Sequence, residues 1–346
     1  MAEGTVDVDR LADWMDGMGL GSGPITDIEP LSGGTQNIIL RFRRGADRFV
    51  LRRPAHHLRA NSNETMLREA RVLKALAGSD VPHPALVASC ADTGILGAAF
   101  YLMEPVDGFF APGGLPPLHA GDASIRHAMG LHMAQAAAQL GSVDHVAAGL
   151  TDFGKPAGFR ERQATRWRAQ LDSYAEHAGW PGPSALPQID RIGAWLEDHL
   201  PRTPFHPGIL HGDFHIANLL FRTDGPQVAA IIDWELATVG DPLLDLGWQL
   251  ATWPDPDGHI PDPGISVAGQ RDFPTAGEII AHYGQHSGRD LSAMPWYVVL
   301  ACYKLGIILE GSHARACAGK APRDIGDRLH QVCLRLLDRA LRWMAQ

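Results

Sequence analysis

The chain has 346 residues, 45% hydrophobic and 20% charged, with mean hydropathy near zero and a net charge of −9. That composition predicts a soluble globular protein long enough for two lobes, and its acidity argues against a nucleic-acid partner. Four scattered cysteines without a C-x-x-C pair exclude a disulfide framework, and the acidic N-terminus and lack of an 18-residue apolar stretch predict no signal peptide and no membrane span.

In chain order, Asp9–Leu20 places Leu11, Trp14, Met15 and Met18 at helical spacing. Strand-like runs follow at Ile25–Pro30, Asn37–Phe42 and Arg48–Arg52, the first two flanking the Gly-bearing stretch Ser32-Gly33-Gly34-Thr35-Gln36. Ser62–Leu76 reads as a helix with Leu67, Val72, Leu73 and Leu76 as its apolar stripe. Two more strands are predicted at Ala85–Ala91 and Ala98–Met103, before a turn-rich joint at Glu104–Gly108. Residues 1–104 therefore read as a small β-rich lobe.

Residues 105–346 read as a larger, mainly helical lobe carrying most of the negative charge. Helices are predicted over Ala123–Leu140, Phe159–Ala178, Gln188–Leu200, Pro242–Thr252, Ala276–Gly284, Pro295–Ala318 and Gly326–Met344. A short β region, Asn218–Phe221 and Val228–Ile232, interrupts them around the turn Thr223-Asp224-Gly225-Pro226. Trp253–Pro274, rich in Pro, Gly and Asp, reads as a long loop, and Trp253 beside it is a candidate pocket residue.

The chemistry concentrates in His211-Gly212-Asp213-Phe214-His215-Ile216-Ala217-Asn218 and, twenty residues after Asp213, in Asp233 at the end of an apolar strand. Phosphoryl transfer needs a carboxylate to orient the acceptor hydroxyl, and oxygen ligands to hold Mg²⁺ on the phosphates. Asp213 and Asn218 have the H-x-D-x-x-x-x-N spacing of a kinase catalytic loop. A short hairpin between Asn218 and Asp233 would let all three side chains meet. The alternation His211, Asp213, His215 also imitates a metal-dependent hydrolase, a reading that leaves Asn218 and Asp233 unused.

The segments LHGDFHIANLLF and AAIIDWELATVGDPLLDLGW resemble the central motifs of the aminoglycoside phosphotransferase and choline-kinase family. They are most similar to the branch containing kinase domains fused to acyl-CoA dehydrogenases. EPLSGGTQNIILRF, FVLRRP, ETMLREARVLKAL, FYLMEPVDG and YKLGIILEGSHARA resemble further family segments in the same order. The resemblance implies an α+β, protein-kinase-like two-lobed fold with ATP in the cleft, and a small-molecule kinase dependent on ATP and Mg²⁺; a monomer or homodimer is expected, and the unpaired cysteines fit reduced thiols in a cytoplasm. Carried over by position, Asp213 is the catalytic base, and Asn218 and Asp233 are metal ligands. Ser32, Gly33, Gly34 and Thr35 cover the phosphates, Glu69 pairs with the third-strand cation, and Glu104 and Val106 meet the adenine. Arg52 stands where protein kinases have Lys, a substitution that is not neutral; strand alternation puts Arg53 on the opposite face. The loss of that Lys leaves a nucleotide-binding scaffold without useful catalysis as an alternative.

Asp241 is expected to cap the helix that follows it, Asp245 to brace the catalytic loop, and His211 to buttress it. Glu235 is a candidate for a second Mg²⁺ or the substrate. Lys304, Glu310 and Arg315, on an otherwise apolar helix, need partners or a substrate. The acceptor implied by the resemblance is a hydroxyacyl compound or similar metabolite rather than an antibiotic.

Overall fold

The computed structural model describes residues 6–31, 37–55, 61–255, 259–262, 265, 267 and 272–346. Ser32, Gly33, Gly34 and Thr35 lie outside them. The chain divides into two units: residues 1–108 with 229–237, and residues 109–228 with 238–346.

In the first unit, α1 (Val8–Gly17), β1 (Ile25–Pro30), β2 (Asn37–Arg44), β3 (Asp47–Pro54), α2 (Ser62–Leu76), β4 (Leu86–Cys90), α3 (Thr93–Leu96) and β5 (Phe100–Met103) follow in order. The strands form an antiparallel sheet in the order β1-β2-β3-β5-β4. One apolar cluster joins Leu11 and Met15 of α1 to Phe42, Phe49, Leu51, Phe100 and Leu102 of the sheet. Arg44, 1% exposed, ties α1 and its following loop to β2 through Ala12 O at 3.0 Å, Gly23 O at 3.0 Å and the Asp16 carboxylate at 2.5 Å. Such a guanidinium is tolerated in a core only because its donors are matched.

The buried face of α2 is Met66, Glu69, Ala70, Val72, Leu73 and Leu76, so the predicted stripe was misplaced at Leu67, which is half-buried. An apolar-only pattern passes over Glu69, whose burial depends on ion pairing rather than hydrophobicity.

The second unit opens with β6 (Phe109–Phe110), α4 (Pro117–Gly121), α5 (Ala123–Ser142), α6 (Gln163–Ser173), α7 (Ile189–Asp198), β7 (Gly208–Leu210) and β8 (Leu219–Phe221). β9 (Val228–Ile231) leads the chain into the first unit, and β10 (Thr238–Gly240) resumes the second. Then come α8 (Leu243–Thr252), α9 (Ala276–Gln285), α10 (Met294–Cys317) and α11 (Arg323–Met344). β7 pairs antiparallel with β10.

α10 is the axis of this unit, packed against α6, α7, α8 and α11. By length and composition it could cross a membrane, contrary to the expectation that no segment would qualify, yet 83% of its most apolar stretch is buried within the protein. A helix apolar on all sides is a core helix when other helices cover it. α8 approaches it through Gly247, where a Cβ would lie 2.6 Å from Tyr297 O. Arg339 of α11, also 1% exposed, donates to the α8 C-terminal carbonyls of Leu250 at 3.2 Å and Ala251 at 2.8 Å, and to Trp253 O at 2.5 Å. A cation there satisfies orphan carbonyls and the negative helix end.

Candidate active site

The first unit contributes a buried charge relay. Register places Arg52 of β3 opposite Ile39 on one side and Tyr101 on the other. Its Nε lies 3.0 Å from Glu69 Oε2, and its Nη2 donates to Asp233 Oδ1 at 2.5 Å. Tyr101 Oη donates to Glu69 Oε2 at 3.0 Å. Burial pushes the Glu69 carboxyl up to about 7, against the pull of Arg52, while the carboxylates around Arg52 overcome its own burial and strengthen its hold on its proton. Arg53, also buried, donates instead to Pro54 O at 3.2 Å.

Asp233 has φ 66°, a left-handed conformation uncommon for a side chain other than Asn or Asp. It precedes a 3-10 turn, Trp234–Leu236, anchored by Trp234 Nε1 donating to Ile231 O at 3.1 Å and by Arg68 Nη2 donating to Ala237 O at 3.3 Å. Glu235 on that turn is exposed. Glu104 is exposed at the end of the sheet, its N–H donating to Ala85 O at 2.9 Å, and Val106 is half-buried just beyond it.

The second unit contributes the loop between β7 and β8. Asp245, buried in the first turn of α8, accepts from His211 N at 2.6 Å and Gly212 N at 2.9 Å. Lys304 Nζ, from α10, donates to Gly212 O at 3.0 Å and stands 4.3 Å from the Trp248 ring centroid. Gly212 itself has φ 85°, which favours glycine. The loop is thus held at Gly212 through both its N–H and its C=O, on consecutive peptide groups, and the bracing expected of Asp245 is present. His211 is fully buried, and its Nδ1 accepts from Asp213 N at 3.3 Å.

Held this way, the Asp213 side chain remains 31% exposed. Asn218 Nδ2 donates to Asp213 Oδ2 at 3.0 Å and to Asp213 O at 2.9 Å, and His215 Nε2 lies 3.2 Å from Oδ1. Burial would raise this carboxyl, but His215, His211 and Lys304 hold it well below the usual carboxylate range. Burial depresses Lys304 to about 8 despite Asp213 and Asp245 nearby. Because the Asn218 amide nitrogen is spent on Asp213, its carbonyl oxygen is the atom left to ligate a cation, a hard donor suited to Mg²⁺.

Pro242, not Asp241, occupies the N-cap position of α8; Asp241, one residue earlier, accepts from Leu243 N at 3.3 Å, and its other oxygen takes Tyr297 Oη at 2.5 Å. Arg315 is exposed, donating to Ser312 Oγ at 2.9 Å, so the expectation that it needs a buried partner does not hold. Trp253 is buried, its Nε1 donating to Pro274 O at 2.8 Å. The cavity it borders, about 10 Å³, holds little more than one water.

A small antiparallel sheet carrying an Arg–Glu pair, and a larger helical region with an Asp–Asn loop, define the class of small-molecule phosphotransferases with a protein-kinase-like fold. The chain belongs to the phosphotransferase enzyme family (APH), whose profile matches residues 27–279. It is 28% identical over 323 residues, 91% of its length, to acyl-CoA dehydrogenase family member 11 of Gallus gallus, and 32% identical over 289 residues, 81% of its length, to family member 10 of Mus musculus. It spans only 40% and 26% of those two relatives. The crystal structure of a "putative aminoglycoside phosphotransferase" from Ralstonia eutropha superposes with a TM-score of 0.80 at 28% identity, covering 98% of this chain and 99% of that one. The aminoglycoside phosphotransferase APH(4)-Ia, solved with AMP-PNP and hygromycin B, shares the fold at a TM-score of 0.59 and 14% identity, over 93% of this chain and 97% of that one.

Proposed function

We propose that the protein transfers the γ-phosphoryl group of ATP to a hydroxyl of a small metabolite. The observation that carries this reading is the Asp213 loop: an accessible, ionised carboxylate hydrogen-bonded to Asn218, on backbone fixed by Asp245. Such a carboxylate can accept the hydroxyl proton as the phosphoryl group departs. Mg²⁺, held by Asn218 and Asp233, supplies charge neutralisation on the phosphates. Arg52, kept cationic and oriented by Glu69, clamps phosphate oxygens. Ser32, Gly33, Gly34 and Thr35 cover the phosphates, and the backbone at Glu104 and Val106 bonds the adenine.

For the acceptor, the similarity to proteins named for acyl-CoA dehydrogenases favours a hydroxyacyl compound over an antibiotic. The test is ADP release across a panel of hydroxyacyl thioesters, hydroxy acids and aminoglycosides. Asp213→Ala should lower acceptor-dependent turnover by about 10²–10⁴-fold and leave the thermal shift with Mg·ATP intact. Turnover unaffected by Asp213→Ala would reject the reading.

The 2.5 Å contact between Arg52 and Asp233 supports a second reading, a nucleotide-binding scaffold whose metal carboxylate is engaged by its own cation. That reading requires stabilisation by Mg·ATP with no transfer across the whole panel.

A further inference from the structure

Away from the Asp213 loop, α10 and α11 each carry an acid and a histidine three residues apart: Glu310 and His313 on one, Asp327 and His330 on the other. That spacing sets both side chains of a pair on one helical face, and the two faces meet. One ligand atom from each of Glu310, His313 and His330 lies within 4.8 Å of the others. His330 Nδ1 is 2.7 Å from Glu310 Oε2, and the two imidazoles stack with centroids 4.5 Å apart.

Two features are poorly explained by helix packing alone. Glu310 is 0% exposed, and its ion-pair partner among the described residues is a histidine, with Trp180 Nε1 donating to its other oxygen at 2.8 Å. A fully buried carboxylate without a fixed cation is costly. His313 is 6% exposed, and its Nδ1 has no hydrogen-bond partner. That nitrogen lies 3.4 Å from Asp327 Oδ1, outside hydrogen-bond geometry, and Asp327 is itself held by Arg323 Nε at 2.9 and 3.0 Å. Its Nε2 is occupied on the far side by Cys317 Sγ at 3.5 Å.

We propose that Glu310, His313 and His330 bind one divalent transition metal, Zn²⁺ by ligand chemistry, joining α10 to α11, with a water closing the fourth position. Two imidazoles and a carboxylate suit Zn²⁺ and disfavour Mg²⁺. Metal–ligand bonds of about 2.1 Å would set the ligand atoms about 3.4 Å apart, which widens the 2.7 Å contact between His330 and Glu310 and draws in the other atoms, now within 4.8 Å of one another. The metal takes the place of the hydrogen bond between His330 and Glu310, and its positive charge answers the buried Glu310 carboxylate. The inference is independent of the kinase reading, since none of these residues belongs to the Asp213 or Arg52 groups.

The experiment is titration of the full chain, stripped with a chelator, with Co²⁺ and then Zn²⁺ in excess Mg²⁺. The expected result is one Co²⁺ per chain with the visible absorption of a four-coordinate site. Zn²⁺ should displace it, with a rise in Tm. His313→Asn and His330→Gln should weaken binding at least about hundredfold, with circular dichroism checking that each folds. Should a variant fail to fold, the cobalt spectrum and stoichiometry of the unmodified chain decide. Absence of saturable binding in excess Mg²⁺, or binding lost in His215→Gln but kept in His313→Asn, would overturn the proposal.

Discussion

Arg52 and Asp233 are 181 residues apart in sequence and 2.5 Å apart in space. The guanidinium spans two carboxylates at once, Asp233 through Nη2 and Glu69 through Nε. An ammonium is a point charge and cannot reproduce that fork. Arg52→Lys should therefore weaken Mg·ATP binding by roughly tenfold, about the value of one charge-assisted hydrogen bond. Titration calorimetry with the nucleotide measures it, and an unchanged Kd would mean that the fork does not bear on the nucleotide.

Asp245 supports the catalytic loop through two consecutive amides. Asp245→Asn keeps the shape but turns one acceptor into a donor facing an N–H. The expected cost is about 2–4 kcal/mol of unfolding free energy, read from urea denaturation. Phosphoryl transfer should fall further than Mg·ATP binding, because the displaced group is Asp213 rather than the nucleotide clamp.

These two supports differ in how readable they were. Asp213, Asn218 and Asp233 stand out in the sequence by their spacing, because one short loop and one strand end set their order. The long helices are legible because each carries several turns of apolar periodicity, although the expected Phe159–Ala178 helix is regular only over Gln163–Ser173, and the short helices α3 and α4 were not expected. The capping box Thr275–Glu278 at the start of α9 is local as well, with both reciprocal hydrogen bonds formed. By contrast, β6, β7 and β10 span two or three residues each, too few to express a period of two. Glu69 was assigned by resemblance, but its burial depends on Arg52 and Tyr101, which are distant in sequence. The facing acid–histidine pairs of α10 and α11 are likewise visible only once two helices are aligned.

Lys304 gives a pH-dependent prediction with a definite sign. Burial lowers it to about 8 from an ordinary value of 10.5. Between those values the unfolded chain holds a proton that the folded chain has released, so stability rises with pH there. Below pH 8 the lysine is charged in both states and the cost of burying that charge is fully present. Relative to Lys304→Met, the wild type should thus gain unfolding free energy from pH 8 to pH 10, and the difference should be flat from pH 6 to pH 7.5. Parallel denaturation series in both proteins check it.

Gly247 lets α8 lie against α10, and a Cβ there would meet Tyr297 O at 2.6 Å. Backbone cannot rotate aside as a side chain can. Gly247→Ala should cost about 1–3 kcal/mol, despite alanine's better helix propensity, and lower Tm. Gly277→Ala in α9, where nothing lies within 4 Å, is the control and should be neutral or slightly stabilising.

The excursion of residues 229–237 into the first unit has a consequence for synthesis on the ribosome. When the sheet of β1 to β5 has emerged, Arg52 and Glu69 are present but Asp233 has not been made. At about 5–20 residues per second, the stretch from Met103, where β5 ends, to Asp233 takes roughly 7–26 s to translate. Throughout that interval the nascent first unit holds an incomplete charge relay. A fragment ending at residue 108 would be arrested in that same unfinished condition.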